Sequence, residues 1–203
     1  MASDSDTAAD GSTTRTAILD ATQQIMLEEG YAAVSSRRVA EKAGVNSALV
    51  YYYFGTMDDL FIATFQRGAE QSYRRQVEAL ASDQPLWSLW EMIHDAPRTA
   101  LTMEFVALAN HRKAIRSEIT KSSERFRRMH LDAASKVLSK HPARLDLPSP
   151  EAIVLLMSSV SRFLLMEQAF DVSAGHKEMI AHVEHQLRQI EGERRAAPPV
   201  RGA

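Results

Sequence analysis

The segment from Ser35 to Leu60 constrains the fold of this chain more than any other feature. Its sequence, SSRRVAEKAGVNSALVYYYFGTMDDL, has the pattern of two short helices, a tight turn between them, an aromatic cluster and the start of a third helix. Gly44 lies at the turn, where the absence of a Cβ permits a positive φ. Asn46 can cap the second helix, in which Val50 and Phe54 continue an apolar stripe. This arrangement predicts a helix-turn-helix, whose second helix can enter the major groove of DNA.

The same segment resembles the DNA-binding end of the tetracycline-repressor (TetR) family of bacterial regulators. The family pattern is Thr/Ser-x-Arg-x-Ile/Val-Ala, then Ala-Gly-Val-Ser, then a Tyr-rich stretch ending in Phe, then Ser-Lys-acidic-acidic-Leu. Asn46 stands here for the usual Ser, and both residues cap helices. Met57 stands for the usual Lys, which removes a phosphate partner. The matching residues are Ser35, Arg37, Val39, Ala40, Ala43, Gly44, Val45, Tyr51, Tyr53, Phe54, Thr56, Asp58, Asp59 and Leu60.

Outside the motif, the absence of any strand pattern predicts an all-α fold, with an N-terminal three-helix domain and a C-terminal helical domain. We expect a disordered tail at 1–12, a DNA-binding helix-turn-helix domain at 13–55, an effector-binding and dimerisation domain at 56–191 and a second disordered tail at 192–203. The expected helices beyond the motif are 14–29, 56–80, 86–94, 98–110, 112–140, 150–171 and 176–191.

Composition narrows the function classes. The chain has no cysteine, which excludes disulfides and thiolate metal sites. Its acidic, polar N-terminus is unlike a signal peptide, and no stretch has the roughly 20 apolar residues of a membrane helix, so we expect a cytoplasmic protein without a membrane partner. No catalytic motif is present, so we expect neither an enzyme nor a cofactor. Glu178, His182 and His185 share a helix face, but this spacing favours polar spacers over a metal site.

The charge of the motif is unusual for a DNA-binding surface. Residues 12–60 contain four basic and six acidic side chains, whereas nucleic-acid-binding domains are usually basic. Few cations predict a shallow salt dependence and binding through neutral donors. Asn46, Ser47 and Ala48 open the second helix and are expected to meet base edges. The residues predicted to contact DNA are Ser35, Ser36, Arg37, Asn46, Ser47, Ala48, Tyr51, Tyr52, Tyr53 and Thr56, with Arg38 left to solvent.

The three tyrosines cannot all face DNA, because consecutive residues lie about 100° apart on a helix. The resemblance implies that Tyr51 and Tyr53 contact phosphate or a thymine methyl, and Tyr52 can do either. The alternative is that one of the three packs against the first helix of the motif.

Two apolar stripes near the C-terminus suggest a homodimer. They alternate in steps of three and four along the last two predicted helices, and paired helices of this kind can form a four-helix bundle with a second copy. The resemblance implies the same dimer. The alternative is that both stripes face the core of the chain itself. The predicted interface residues are Leu156, Val160, Phe163, Phe170, Ile180, Val183, Leu187 and Ile190.

The resemblance also implies a ligand pocket in the middle of the chain. Met and aromatic side chains dominate its predicted lining, which favours a small hydrophobic effector. The alternative is that these residues form an ordinary core. The predicted lining is Trp87, Trp90, Met103, Phe126, Met129, His130, Met157, Arg162, Phe163 and Met166.

Together these features predict a ligand-responsive transcriptional regulator, a repressor that its effector releases from a palindromic double-stranded DNA operator. An activator of the same fold would have the same sequence features. The alternative function is a ligand-binding or protein-interaction scaffold whose DNA binding is weak or lost, which the acidic balance and Met57 would favour.

Overall fold

The protein is all-helical in the residues that the structure describes. The structure is a computed structural model that describes residues 4–94, 96–140 and 149–195, without the side chains of 4–10 and 96–98. Within these ranges the predicted fold class is confirmed. The helices are α1 (Asp4–Glu29), a 3-10 turn (Tyr31–Ala33), α2 (Ser36–Ala43), α3 (Ser47–Phe54), α4 (Met57–Leu80), α5 (Pro85–Ile93), α6 (Ala96–Ala109), α7 (Lys113–Leu138), α8 (Pro150–Gln168) and α9 (His176–Glu191).

Both predicted tails differ from expectation where they are described. Helix α1 begins at Asp4, so residues 4–12 are helical. Residues 192–195 are held against α5, where the indole Nε1–H of Trp87 donates to the carbonyl of Gly192 over 3.1 Å. Residues 141–148 and 196–203 lie outside the described residues. Ser149 follows the first of these gaps, and its hydroxyl accepts from Ala152 N–H and so caps α8.

The chain forms two compact units. The first comprises the described residues up to Ser72 together with Ala100–Glu124, and the second comprises Tyr73–Thr99 and those from Arg125 onward. The division therefore falls inside α4 and α7 rather than at the predicted boundary between residues 55 and 56.

The first unit has two hydrophobic clusters. One joins α1, α2, α3 and the start of α4, and it contains Ile18, Leu19, Ala21, Ile25, Val39, Ala40, Val50, Phe54 and Leu60. The other joins α1, α4, α6 and α7 through Met26, Phe61, Phe105, Leu108, Ala109 and Ile115. Met57 is partly buried against both clusters. The helix-turn-helix is thus fixed to α1 and α4 by its own apolar side chains.

The second unit has one hydrophobic cluster, formed by α5, α7, α8 and α9. Its buried members are Leu86, Trp87, Leu89, Trp90, Ala134, Val137, Ile153, Val154, Met157, Val183, Leu187 and Ile190. A side chain covered by its own chain is not a surface for a second copy. The prediction that Val183, Leu187 and Ile190 form a dimer interface is therefore wrong. Val160 and Ile180 are half-buried against the same cluster.

The start of α5 is capped by a distant carboxylate. The Oε1 and Oε2 atoms of Glu191 accept from the backbone N–H groups of Leu86 and Trp87, over 3.1 and 3.0 Å. A carboxylate at a helix N-terminus satisfies orphan donors and opposes the helix dipole. Burial nonetheless raises the pKa of Glu191.

None of the helices in the described ranges is long and apolar enough to cross a membrane.

Candidate nucleic-acid interface and ligand site

The helix-turn-helix is formed by α2, a turn at Gly44 and α3. Ser35 Oγ accepts from Arg38 N–H over 3.3 Å and caps α2. Gly44 has a φ of 68° and ends that helix, a conformation that side chains with a Cβ rarely adopt. Asn46 Oδ1 then accepts from Ala48 N–H over 2.8 Å and caps α3. These contacts fix the turn as the sequence predicted.

The first turn of α3 is open to solvent. Asn46, Ser47 and Ala48 are all exposed, which is the location from which a recognition helix reads base edges. Farther along the helix, Tyr51 is 50% and Tyr52 78% exposed. Both rings are free to reach a partner.

Tyr53 differs from its neighbours. It is half-buried against the cluster of α1, α2 and α3, and its ring meets that of Tyr52 edge-on at 5.2 Å. Its hydroxyl lies near Gly11 of α1, at 3.4 Å from the position of a Cβ there. Tyr53 is therefore the one of the three tyrosines that packs against the protein, and its predicted contact with DNA stays a prediction.

The basic side chains of α2 are largely neutralised within the unit. Arg38 pairs with Glu29 of α1 at 2.6 Å, and Lys42 pairs with Glu28 at 2.5 Å. The hydrogen bond from Lys42 lowers the pKa of Glu28. Arg37 is exposed and forms no ion pair with any described residue. Of the three cationic side chains on this helix, Arg37 is therefore the one available to contact a DNA phosphate without first breaking an ion pair.

The remaining predicted contacts lie at helix starts. Ser35 is exposed and Ser36 is half-buried at the beginning of α2. Thr56 is exposed and caps α4, accepting from Asp59 N–H over 3.1 Å and donating to Asp59 Oδ2 over 2.6 Å. Met57, where the family pattern has Lys, contributes to both clusters of the first unit instead of projecting freely. The structure thus gives this departure a packing role.

A cavity of about 360 Å³ lies in the second unit between α5, α9 and residues 193–194. Trp87 and Trp90, two of the predicted ligand residues, line it. Sequence reasoning missed most of the other lining residues, because the pattern showed no link between α5 and the end of the chain. Glu184 and Arg188, four residues apart, resemble an ordinary surface pair. The missed residues are Glu91, Ile180, Glu184, Arg188, Glu193 and Arg194, whereas His94, which completes the lining, is one of the polar residues that the sequence offers for orienting a ligand.

A second group of predicted ligand residues surrounds His130 on α7. His130 is only 8% exposed, and its Nε2 lies 2.6 Å from Gln76 Oε1 of α4. The ring of Phe126 lies 6.1 Å from that of His130 and 5.7 Å from that of Tyr73. Burial, with Arg127 and Arg162 nearby, lowers the pKa of His130 to about 4. Its imidazole is therefore neutral at pH 7. Met129, one residue before His130, is half-buried.

Of the other predicted ligand residues, only Arg162 is among the groups that act on the pKa of His130. Met157 is buried in the core of the second unit, whereas Met103 is half-buried in the first. Arg162, Phe163 and Met166 are exposed on α8, with Phe163 at 53% and Met166 at 40%. They do not line the cavity between α5 and α9, and their role in a ligand site stays a prediction.

That exposed face of α8 is apolar over much of its length. Phe163 and Met166 lie on this face, and Phe170, which is 73% exposed, follows just after the helix ends at Gln168. Such a patch on a protein surface indicates a binding partner. Its exposed apolar residues are Leu155, Leu156, Phe163, Met166 and Phe170.

Residues 18–64 match the family model described as "Bacterial regulatory proteins, tetR family". This segment is therefore similar to the N-terminal domain of tetR-family regulators. The match covers the two capped helices, the turn at Gly44 and the exposed start of α3. The tetR-family resemblance of the motif is confirmed.

Curated relatives support the same assignment. The chain is 28% identical over 120 residues to the HTH-type transcriptional regulator HbdR of Aromatoleum sp., covering 55% of this chain and 52% of that protein. It is 38% identical over 52 residues to the HTH-type transcriptional regulator BetI of Rhizobium meliloti, covering 26% of each. The chain spans about half or less of the length of the curated relatives it matches.

Solved structures share the fold over most of the chain. A TetR transcription regulator from Haloarcula marismortui superimposes with a TM-score of 0.70 at 17% identity, over 88% of this chain and 98% of that one. A protein from Saccharomonospora viridis in complex with choline gives 0.71 at 15% identity, over 86% and 95%. Identities this low show the fold alone.

Proposed function

We propose that the chain is a ligand-responsive transcriptional repressor that binds a palindromic DNA operator as a homodimer. The observation that carries this proposal is the capped helix-turn-helix with an exposed α3 start and exposed Tyr51 and Tyr52. A helix-turn-helix contacts base edges with the N-terminal part of its second helix. The solvent-facing Asn46, Ser47 and Ala48 occupy that part.

Binding of the full chain to the DNA upstream of its own gene tests this directly. We expect the wild type to bind this DNA in low salt. In Tyr51→Ala the affinity should fall about tenfold or more, because the change removes a ring from the proposed DNA-binding surface. The ring is exposed, so its removal should leave the core undisturbed. Val106→Ala is the matched control, since Val106 is 42% exposed on α6 of the same unit, outside the helix-turn-helix. Equal affinity of the two variants would contradict the assigned surface. Absence of binding by a folded dimer would favour the scaffold alternative.

The free cation of α2 gives a second test. Arg37→Ala is expected to reduce the slope of log affinity against log salt by about 0.9, the effect of one lost phosphate contact. Arg38→Ala is expected to change that slope less, because its guanidinium is held by Glu29 at 2.6 Å. Both slopes can be measured by titrating the same DNA at several salt concentrations. If Arg38→Ala reduced the slope as much as Arg37→Ala, the pair with Glu29 would not persist on DNA.

The exposed α8 face supports the dimer in this proposal. Leu156, Phe163 and Phe170 are the predicted interface residues that remain on the surface. Two half-sites one helical turn apart require two recognition helices, so a second copy is the partner that a palindromic operator needs.

The cavity between α5 and α9 supports an effector role for the second unit. Its volume of about 360 Å³ is within the range of small-molecule sites. The Saccharomonospora viridis protein in complex with choline is an example of a small molecule bound by a protein of this fold. If the effector releases the operator, the two ligands must weaken each other's binding by the same factor. Unchanged operator affinity at saturating effector would contradict induction.

A further inference from the structure

The cavity between α5 and α9 contains both tryptophans of the chain. The guanidinium carbon of Arg188 lies 5.9 Å from the ring centroid of Trp87. The same guanidinium pairs with Glu184 at 3.2 Å and with Glu193 at 3.3 Å. An organic cation thus already lies beside an indole face and between carboxylates. This combination of groups is the one that recognises organic cations.

A second cation of the chain enters the mouth of the cavity. The Nε and Nη2 atoms of Arg194 lie 2.5 Å from Oε1 and Oε2 of Glu91, a bidentate pair. Glu91 is on α5, whereas Arg194 follows α9. The Glu91 carboxylate is therefore oriented for a planar or compact cation, and the protein itself supplies one.

We propose that this cavity binds a small organic cation with an apolar body, which replaces the Arg194 side chain at Glu91. Three carboxylates line the cavity against two arginines. Once Arg194 has moved away, the lining holds two uncompensated negative charges beside two indole rings. A quaternary ammonium or guanidinium compound matches that lining in both charge and polarizable surface.

The Arg194 side chain can be exchanged without detaching its backbone. The Glu91 side chain is 51% exposed and the Arg194 side chain 25% exposed, so water reaches the pair mainly at Glu91. An ion pair that is open to water contributes little to stability. The surrounding backbone is held independently. Gln84 Nε2 donates to the Glu193 carbonyl over 2.7 Å, and Arg195 N–H donates to Gln84 Oε1 over 2.7 Å. Only the Arg194 side chain has to move into solvent, where it gives up its pair with Glu91 and the bond that its Nη1 donates to the Arg195 carbonyl over 2.7 Å.

The remaining titratable group of the lining does not repel a cation. Burial and the nearby His176 lower the pKa of His94. Its ring lies 5.2 Å from that of Trp90. A neutral imidazole beside the indoles extends the aromatic surface without adding positive charge.

Choline is a suitable probe, because 3,3-dimethylbutan-1-ol has the same shape without the charge. Binding to the full chain can be followed by tryptophan fluorescence, since both tryptophans line the cavity, and checked by calorimetry. We expect choline to bind and the alcohol not to bind. Arg194→Ala should tighten choline binding about tenfold by removing the competing cation, and Glu91→Gln should weaken it about tenfold. Both side chains lie outside the core, so the variants should fold.

Arg195→Ala is the matched control, because it removes the same charge one residue later from a side chain outside the lining. It should leave choline affinity unchanged. Three outcomes would each overturn the proposal. The neutral alcohol could bind as tightly as choline, or Arg194→Ala and Arg195→Ala could gain the same choline affinity. Choline could also fail to bind both the wild type and Arg194→Ala up to about 10 mM. Choline binding would specify the effector role proposed above. Because this titration contains no DNA, its failure is distinguishable from a failure of operator binding.

Discussion

Replacing Phe163 by Glu is expected to convert the proposed dimer into a folded monomer. Phe163 is 53% exposed in one copy, so its removal costs the protomer little stability. In the dimer, however, a carboxylate at this point of α8 would be buried without a partner. An uncompensated buried charge costs roughly 3–5 kcal/mol, which corresponds to a dimer weakened about a hundredfold or more.

Sedimentation velocity over a range of protein concentrations measures this change, and thermal unfolding verifies that the monomer is folded. Leu27→Glu is the matched control, because Leu27 is 42% exposed on α1 of the other unit. That variant should remain dimeric. If Phe163→Glu also remained dimeric, the copies would have to meet through a different surface. Operator affinity should fall with the loss of the dimer, since one recognition helix reads only one half-site.

Lowering the pH from about 6.5 to about 4 is expected to remove about 3 kcal/mol of stability through His130 alone. The pKa of His130 is lowered from 6.5 to about 4, chiefly by burial. In this pH window the unfolded chain binds a proton that the folded chain does not bind. The stabilisation is therefore fully present above the unfolded pKa and is lost as the pH falls towards the folded one.

Urea unfolding of wild type and His130→Gln at several pH values isolates this contribution. The comparison is needed because the lowered pKa of His94 acts in the same sense, whereas the raised pKa of Glu191 acts in the opposite sense. Gln can still hydrogen-bond to Gln76, so the variant should fold and its stability should depend less on pH. His182→Gln, a change at an exposed histidine of α9, should retain the wild-type profile. Identical profiles for all three proteins would exclude the assignment to His130.

The helix-turn-helix could be predicted because its determinants are local. Ser35, Gly44 and Asn46 act within a few residues of their own positions, so the sequence contains both the cap and the group that is capped. The half-buried position of Tyr53 depends on α1, and periodicity alone left it open which tyrosine would pack inward.

What covers the apolar stripes of α8 and α9 could not be predicted from the sequence. Helical spacing indicates that Val183, Leu187 and Ile190 share a face, but it does not indicate what covers that face. In the structure α5, α7 and α8 cover it. The cavity lining could not be predicted from the sequence either, since the contact between Glu91 and Arg194 joins residues about a hundred positions apart. The sequence likewise gave no indication that Glu191 caps α5 from such a distance.

The two ion pairs between α1 and α2 have a consequence for how the protein would search a genome. Glu28 and Glu29 hold Lys42 and Arg38 as intramolecular competitors of phosphate. Attraction to arbitrary DNA depends almost entirely on freely available cations. With two of its three α2 cations occupied in this way, the protein should dwell only briefly on random sequence, so that base contacts account for a larger share of its affinity. A low affinity for non-specific DNA would raise the ratio of specific to non-specific occupancy. A higher ratio means that fewer protein molecules per cell are needed to keep one operator occupied.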